Sequence, residues 1–392
     1  MPNTLYVKIV NRQSYILTLF IFIIIVVTAQ CYLLFPTNEA HYAHYKNFLI
    51  FKESFFHLIG NTNLYTLYPE PSLDYYKYSP TFALLMAPFS VLPDFAGLLL
   101  WNLLNGLILF FGIYKLPMLS NKKHFFIAAF ILIELVTSLQ NSQSNPLMAG
   151  LIILAFVFLE KEKMALATLC IVLTVFIKIF GLVAFLLFLF YPNKKKAAIY
   201  TAIWSVVLLL LPLLVNTPTQ LYTQYQNWLT LLHNDYSASL GLSAEGLLHS
   251  WFGITAKNSV ILVGAVLLCL PLFRMRLFSE PVYRINFLAS ILLWIVVFNH
   301  KAESPTFIIA VTGVAVWYIS QKKKMENILL LILVFVFTIL SPTDLFPATI
   351  RDRYVIPYDL KVLPCILVWF KLTIDLMLYK PANSFESNTI TA

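Results

Sequence analysis

From residue 15 onward the chain repeats one pattern, a long apolar run ended by a short polar cluster. Runs at 15–35, 97–116, 124–139, 146–159, 164–191, 197–215, 260–273, 287–298, 307–319, 328–340 and 362–378 are mainly apolar over their whole length, which predicts helices in a hydrocarbon environment rather than half-buried strands. Residues 42–59 differ. There Phe48, Phe51, Phe55 and Leu58 recur at helical spacing with Lys46, Lys52 and His57 between them, the pattern of a helix lying along an interface. A second amphipathic stretch carries Leu221, Tyr225, Trp228 and Leu232.

Composition fixes the solvent. With 392 residues, 60% hydrophobic and only 11% charged, the chain lacks the polar surface to cover a water-soluble globule of its size. The expected fold is all-α: a polytopic membrane helix bundle with about twelve crossings, whose extracytoplasmic loops carry interfacial helices. One integral-membrane domain is expected over 1–380, and a disordered cytoplasmic tail over 381–392, which is rich in Ser, Asn and Thr. The first run follows Lys8 and Arg12 and is long enough to span, so it reads as a retained helix and not a cleaved leader.

The net charge of +9 sits in short runs: Lys122-Lys123, Lys194-Lys195-Lys196, Arg274 with Arg276, and Lys322-Lys323-Lys324. Such runs mark cytoplasmic loops. They form no continuous basic face, so no nucleic-acid partner is expected. Keeping every run on one side requires residues 80–92 to be half-inserted and residues 164–191 to bend near Lys178. A different count at 80–92 would invert everything after it.

With the basic runs inside, the polar clusters at 39–78, 140–145, Lys178, 235–245, 300–305 and 344–361 all fall outside, where they are expected to line one pocket. Carboxylates, cations, amides and aromatic rings together suit a sugar phosphate: rings stack on sugar C–H faces, amides read hydroxyls, and Lys or Arg holds phosphate. Cys31, Cys170, Cys269 and Cys365 have no paired spacing, and neither a metal nor a cofactor is expected.

Gly60-Asn61-Thr62-Asn63-Leu64-Tyr65, followed by Tyr76-Lys77-Tyr78-Ser79-Pro80-Thr81-Phe82-Ala83-Leu84-Leu85 and Leu92-Pro93, resembles the motif pattern of glycosyltransferase family 87. Gln143-Ser144-Asn145 and Lys178 resemble two further elements of that family in the same order. The resemblance implies a GT-C-like fold and an inverting transfer of a hexose, mannose above all, from a polyprenyl-phosphate donor to a lipid or glycan acceptor. It places the protein in a bacterial inner membrane with the active site on the periplasmic or extracellular side. The partners implied are the donor, the acceptor and membrane lipids. One position departs: where the family pattern carries an Asp used as catalytic base, this chain has Asn47, which cannot take a proton.

A transfer of this kind needs a carboxylate near the acceptor hydroxyl and cations on the departing phosphate. Asp74 and Glu303 rank first as the base, ahead of Glu39 and Glu53, with His300 as an orienting or protonating group. Each has a bland alternative as an ordinary loop residue. Lys178, Lys301, Arg351, Arg353 and Lys361 are candidates for the phosphate, although Lys178 can snorkel to the interface and the last three can merely meet lipid headgroups. Asn47, Tyr76, Tyr78, Gln140, Gln143 and Asn145 are candidates for sugar or acceptor, the amides competing with simple capping of a helix begun at Pro146. Glu134, inside an apolar run, is expected to be paired or neutral. A transporter or flippase of a lipid-linked sugar is the alternative reading, weakened by the lack of an internal repeat.

Overall fold

The computed structural model describes residues 13–33, 45–68, 74–236 and 240–381. Among them there is no strand. The helices in chain order are α1 (Gln13–Leu33), α2 (Lys46–Ile59), α3 (Pro80–Leu85), α4 (Ala87–Ser90), α5 (Asp94–Tyr114), α6 (Asn121–Phe130), α7 (Leu132–Gln140), α8 (Asn145–Glu160) and α9 (Met164–Ile177). A 3₁₀ helix (Ile179–Phe190) leads to α10 (Lys194–Leu210), α11 (Pro218–Tyr236), α12 (Ala244–Phe252), α13 (Lys257–Cys269), α14 (Pro281–Val297) and α15 (Phe307–Ser320). Then come α16 (Met325–Leu333), which continues as a π-helix (Val334–Leu340), the short α17 (Ala348–Ile350), and α18 (Leu363–Leu378).

The bundle is organised around α8. It is apolar on every face and nearly every residue of it is buried, as expected of a helix surrounded by other helices. Helix α5 packs on one side of it and α9 on another, while α14 and α15 pack along each other. Close approach of α5 and α8 depends on Gly150: a Cβ there would stand 2.7 Å from the backbone of Ile108 and Leu109. Trp101, Trp317 and Trp369 are the largest of the fully buried side chains.

Helices α1 and α10 show the opposite balance. Phe22 and Leu19 on α1, and Ile199, Ile203 and Val206 on α10, are exposed although strongly apolar. An apolar surface of this extent belongs against lipid. Gln13–Leu33, Asp94–Tyr114 and Lys194–Leu214 are each long and apolar enough to cross a membrane, and α6 with α7, bent by 44°, forms a fourth such unit. Several shorter apolar helices complete the bundle. The protein is therefore a polytopic helical membrane protein.

The two short segments foreseen at the difficult places take distinct forms. Residues 80–92 fold as α3 and α4. Ser79 caps α3 by accepting the Phe82 N–H at 3.1 Å, and Pro80 occupies the first turn, where a missing N–H costs nothing. At Lys178 the chain leaves α9 with extended backbone, φ −142° and ψ 125°, and restarts as the 3₁₀ helix.

The polar interruptions and the basic turns lie at opposite ends of the helices. At the basic end, Arg284 grips Glu160 with two bonds of 2.6 and 2.9 Å, and Tyr191 donates to the same carboxylate at 2.5 Å. At the other end, Cys31 at the close of α1 lies beside Gln140 at the close of α7.

Candidate active site

The turn between α7 and α8 is the centre of the polar end. Ser142 adopts a left-handed backbone, φ 52°, unusual for a residue with a Cβ. Its carbonyl accepts from Trp101 Nε1 at 2.8 Å, which holds the turn. Pro146 starts α8, yet neither neighbouring amide is used as a helix cap. Gln143 Nε2 donates instead to Glu303 Oε2 at 2.8 Å. Asn145 Nδ2 donates to Gln143 Oε1 at 2.6 Å and to the Pro305 carbonyl at 3.1 Å, while its Oδ1 accepts from Lys178 Nζ at 2.8 Å. Three segments distant in sequence are thus joined in one relay, Lys178–Asn145–Gln143–Glu303.

Tyr78 covers this relay. Its ring stacks on Phe82 with centroids 4.7 Å apart and faces Lys178 Nζ at 5.6 Å. Its hydroxyl lies 3.5 Å from Ser144 Oγ. Burial pushes the Tyr78 phenol up, and the Glu303 and Asp74 carboxylates add to the effect, against the Ser144 bond. Both carboxylates therefore lie close enough to act on the same ring. Asp74 itself accepts the N–H of Tyr75 at 2.8 Å.

Two cavities open on the site. The smaller, about 410 Å³, is lined by Lys77, Lys301 and Glu303 together with Gly241, Leu242 and Ser304. Asp235, near the end of α11, bridges its two lysines, 3.0 Å from Lys301 Nζ and 3.6 Å from Lys77 Nζ. Lys77 is placed by its own carbonyl, which accepts from Trp228 Nε1 at 3.1 Å. Across the cavity, Gly241 has a left-handed backbone, and a Cβ there would collide with the His300 carbonyl. Leu242 N–H then bonds the Ala302 carbonyl at 2.8 Å.

The larger cavity, about 1070 Å³, has an apolar side formed by Ile23, Leu132, Ile133 and Val136. Its polar side includes Gln140, Asn141, Asp344, Arg351, Asp359 and Lys361. Leu242 and Ser304 belong to both walls.

The sequence-derived candidates divide accordingly. Glu303, Gln143, Asn145, Lys178 and Tyr78 meet directly, and Lys301 joins them through the small cavity. Asn47 is tied to the same turn, since its Nδ2 donates to the Asn141 carbonyl at 2.8 Å. Gln140 and Arg351 line the large cavity, with Arg351 held by Asp352 at 3.0 Å. Tyr76 is turned inward: it is buried, and its hydroxyl donates to the Ser79 carbonyl at 2.8 Å. Arg353 is exposed over the Tyr354 ring and lines neither cavity. Asp74 also lies outside both walls. Glu39 falls outside the described residues.

His300 stands beside the lysines and is half-buried. Burial, with Lys257 and Lys301 nearby, pushes it down to about 4 against the pull of Asp235. At neutral pH it is an uncharged imidazole, so it can accept or relay a proton but cannot act as a cation.

Sequence reading includes Lys77, Asp235 and Ser304 in its motif and polar clusters but gives none of them a role of its own. Lys77 sits between two motif tyrosines, which marks it. Asp235 and Ser304 carry no local mark, because their importance comes from contacts across the fold. Glu134, expected to be paired or neutral, is paired with Lys361 at 2.9 Å.

The arrangement can hold an anion between two lysines next to a carboxylate fixed by an amide, at one end of an apolar bundle. No curated protein matches the chain. The sequence pattern of glycosyltransferase family 87 matches it over residues 76–342, a span that contains Lys77, Gln143, Asn145, Lys178, Asp235, Lys301 and Glu303. With most of its length in that match and a cavity lined by two lysines and a carboxylate at one end of a membrane bundle, the chain belongs to glycosyltransferase family 87 and is a membrane glycosyltransferase.

Proposed function

We propose that the protein moves a hexose, mannose by family resemblance, from a polyprenyl-phosphate donor to a lipid or glycan acceptor at the extracytoplasmic face, on a GT-C-like scaffold and with inversion. The acceptor hydroxyl oxygen attacks the anomeric carbon while the bond from that carbon to the phosphate oxygen breaks. The hydroxyl proton passes to Glu303, and polyprenyl phosphate leaves with its charge taken up by Lys77 and Lys301. Lys178 acts behind this pair, through Asn145 and Gln143, to hold the base. Asn47 cannot replace the carboxylate and serves the turn that carries Gln143. Gln140, on the wall of the larger cavity, and His300, beside Lys301, are further polar groups for the acceptor.

One observation carries the reading: Glu303 lies on the wall of a cavity that also presents two lysines, with one carboxylate oxygen fixed by Gln143. Asp74 ranks behind it because it lines neither cavity.

The test uses the purified full chain in lipid nanodiscs, radiolabelled polyprenyl-phosphate-mannose and a membrane glycolipid extract. Label should pass to an acceptor, and Glu303→Gln should lose about 10²- to 10⁴-fold in rate while still binding donor. Asp74→Asn should stay within a few-fold of the parent. Wild-type transfer by Glu303→Gln would refute the assignment of the base. Movement of intact donor across the membrane with no product from any donor would replace the enzyme by a flippase.

A further inference from the structure

Glu134 and Lys361 form a buried ion pair, with side chains 0% and 6% exposed, whose lysine reaches the wall of the larger cavity. Lys361 Nζ also donates to Ser304 Oγ at 2.8 Å and stands 4.9 Å over the Phe307 ring. The lysine is anchored in turn, because its carbonyl accepts from Thr338 Oγ1 at 2.7 Å. The second oxygen of Glu134, Oε2, has no hydrogen-bond partner.

Such a pair is a poor stabiliser. Stripping water from two charges offsets most of their attraction, and apolar side chains of similar volume commonly serve as well or better. The third member of the group supplies a different reason for it. Ser304 directly follows Glu303 and opens the turn Ser304–Thr306, in which the Glu303 N–H donates to Thr306 Oγ1 at 3.1 Å. Gln143 holds the Glu303 carboxylate, and Lys361 holds the adjoining residue. The Glu303 turn is clamped at both points.

We infer that Lys361, fixed by Glu134, is a positioning residue that holds Ser304 and thereby aims the Glu303 carboxylate at the reacting hydroxyl. This rests on the reading of Glu303 as base. Lys361 lies beyond residue 342, where the family match ends, so the cation of the clamp comes from the C-terminal segment, while Glu134 and Ser304 lie within the match.

Lys361→Met alone would strand Glu134 as a bare buried charge, and unfolding would hide the effect. The measured variant is therefore the double substitution Glu134→Met/Lys361→Met, in nanodiscs. It should melt close to the parent, while kcat falls about 10²-fold, the scale set by a small misplacement of a reacting group, and donor KM is unchanged. The acidic limb of its pH–rate profile should move, because the base has a new setting. Lys361→Arg keeps a cation on Glu134 and should recover much of the lost kcat. Parental kcat in the double variant would overturn the inference, and so would a raised donor KM at unchanged kcat, which would make Lys361 a substrate contact. If the parent transfers no sugar from any donor, the reading of the base has failed separately. Amide exchange over residues 299–306 then decides the clamp: faster exchange in the double variant supports it and unchanged protection overturns it.

Discussion

Lys301 Nζ lies 3.0 Å from Asp235 Oδ1, and the same oxygen is 3.6 Å from Lys77 Nζ. The carboxylate of α11 thus occupies the two cations proposed to meet the donor phosphate. A phosphate entering the cavity competes with it.

The first prediction follows from that competition. Asp235→Asn removes the internal anion and leaves both lysines in place, so anionic ligands should bind more tightly. Inhibition by polyprenyl phosphate, the expected product, should strengthen about 3- to 10-fold, a gain of roughly 1 kcal/mol for a half-exposed pair. Higher salt should shrink the difference, because part of the interaction is screened.

The second concerns the relay. Asn145→Leu removes the acceptor of Lys178 and the donor to the Pro305 carbonyl together. Each group left without its partner costs about 1–3 kcal/mol, so the melting temperature should drop measurably. Transfer should fall as well, since Gln143 loses its support. Asn145→Asp keeps an acceptor for Lys178 and should lie between parent and Leu variant in both measurements.

His300 gives the third, through pH. Its proton is bound near pH 6.5 in the unfolded chain but only near 4 in the folded one. Between these values the unfolded state carries more protons, so stability rises with pH. The contribution is fully present above 6.5 and is lost as pH falls through 4. His300→Gln should flatten this part of the stability curve, followed as denaturation midpoints in detergent from about pH 4 to 6.5.

The fourth tests packing. Gly150→Ala would press a methyl against the backbone of α5, at 2.7 Å from Ile108 and Leu109, and neither atom can swing aside as a side chain would. The cost should be about 1–3 kcal/mol, read as a lower melting temperature. Ile108, Leu109 and Gly150 line neither cavity, so binding of polyprenyl phosphate at low temperature should survive.

The helix bundle was legible because apolar run lengths and basic turns constrain each other. Reversal at Lys178 followed from charge alone: without it, Lys194 to Lys196 would sit on the wrong side. The amides at 140–145 were legible for a simpler reason, that one helix start uses fewer. The ion pairs were not. Lys77, Asp235 and Lys301 come from three segments, and Glu134 finds Lys361 only after α7 and the loop before α18 are packed. Tyr76 and Tyr78 alternate along the same motif and look equivalent in sequence, but one hydroxyl turns to the Ser79 carbonyl while the other ring faces Lys178.

Leu242 and Ser304 stand in the walls of both cavities, so the two chambers share a partition. A molecule lodged in the apolar chamber and an anion lodged between the lysines would face each other across it, beside Glu303. The new glycosidic bond would then be made at a doorway, and the bulk of residue 242 would set how wide that doorway is.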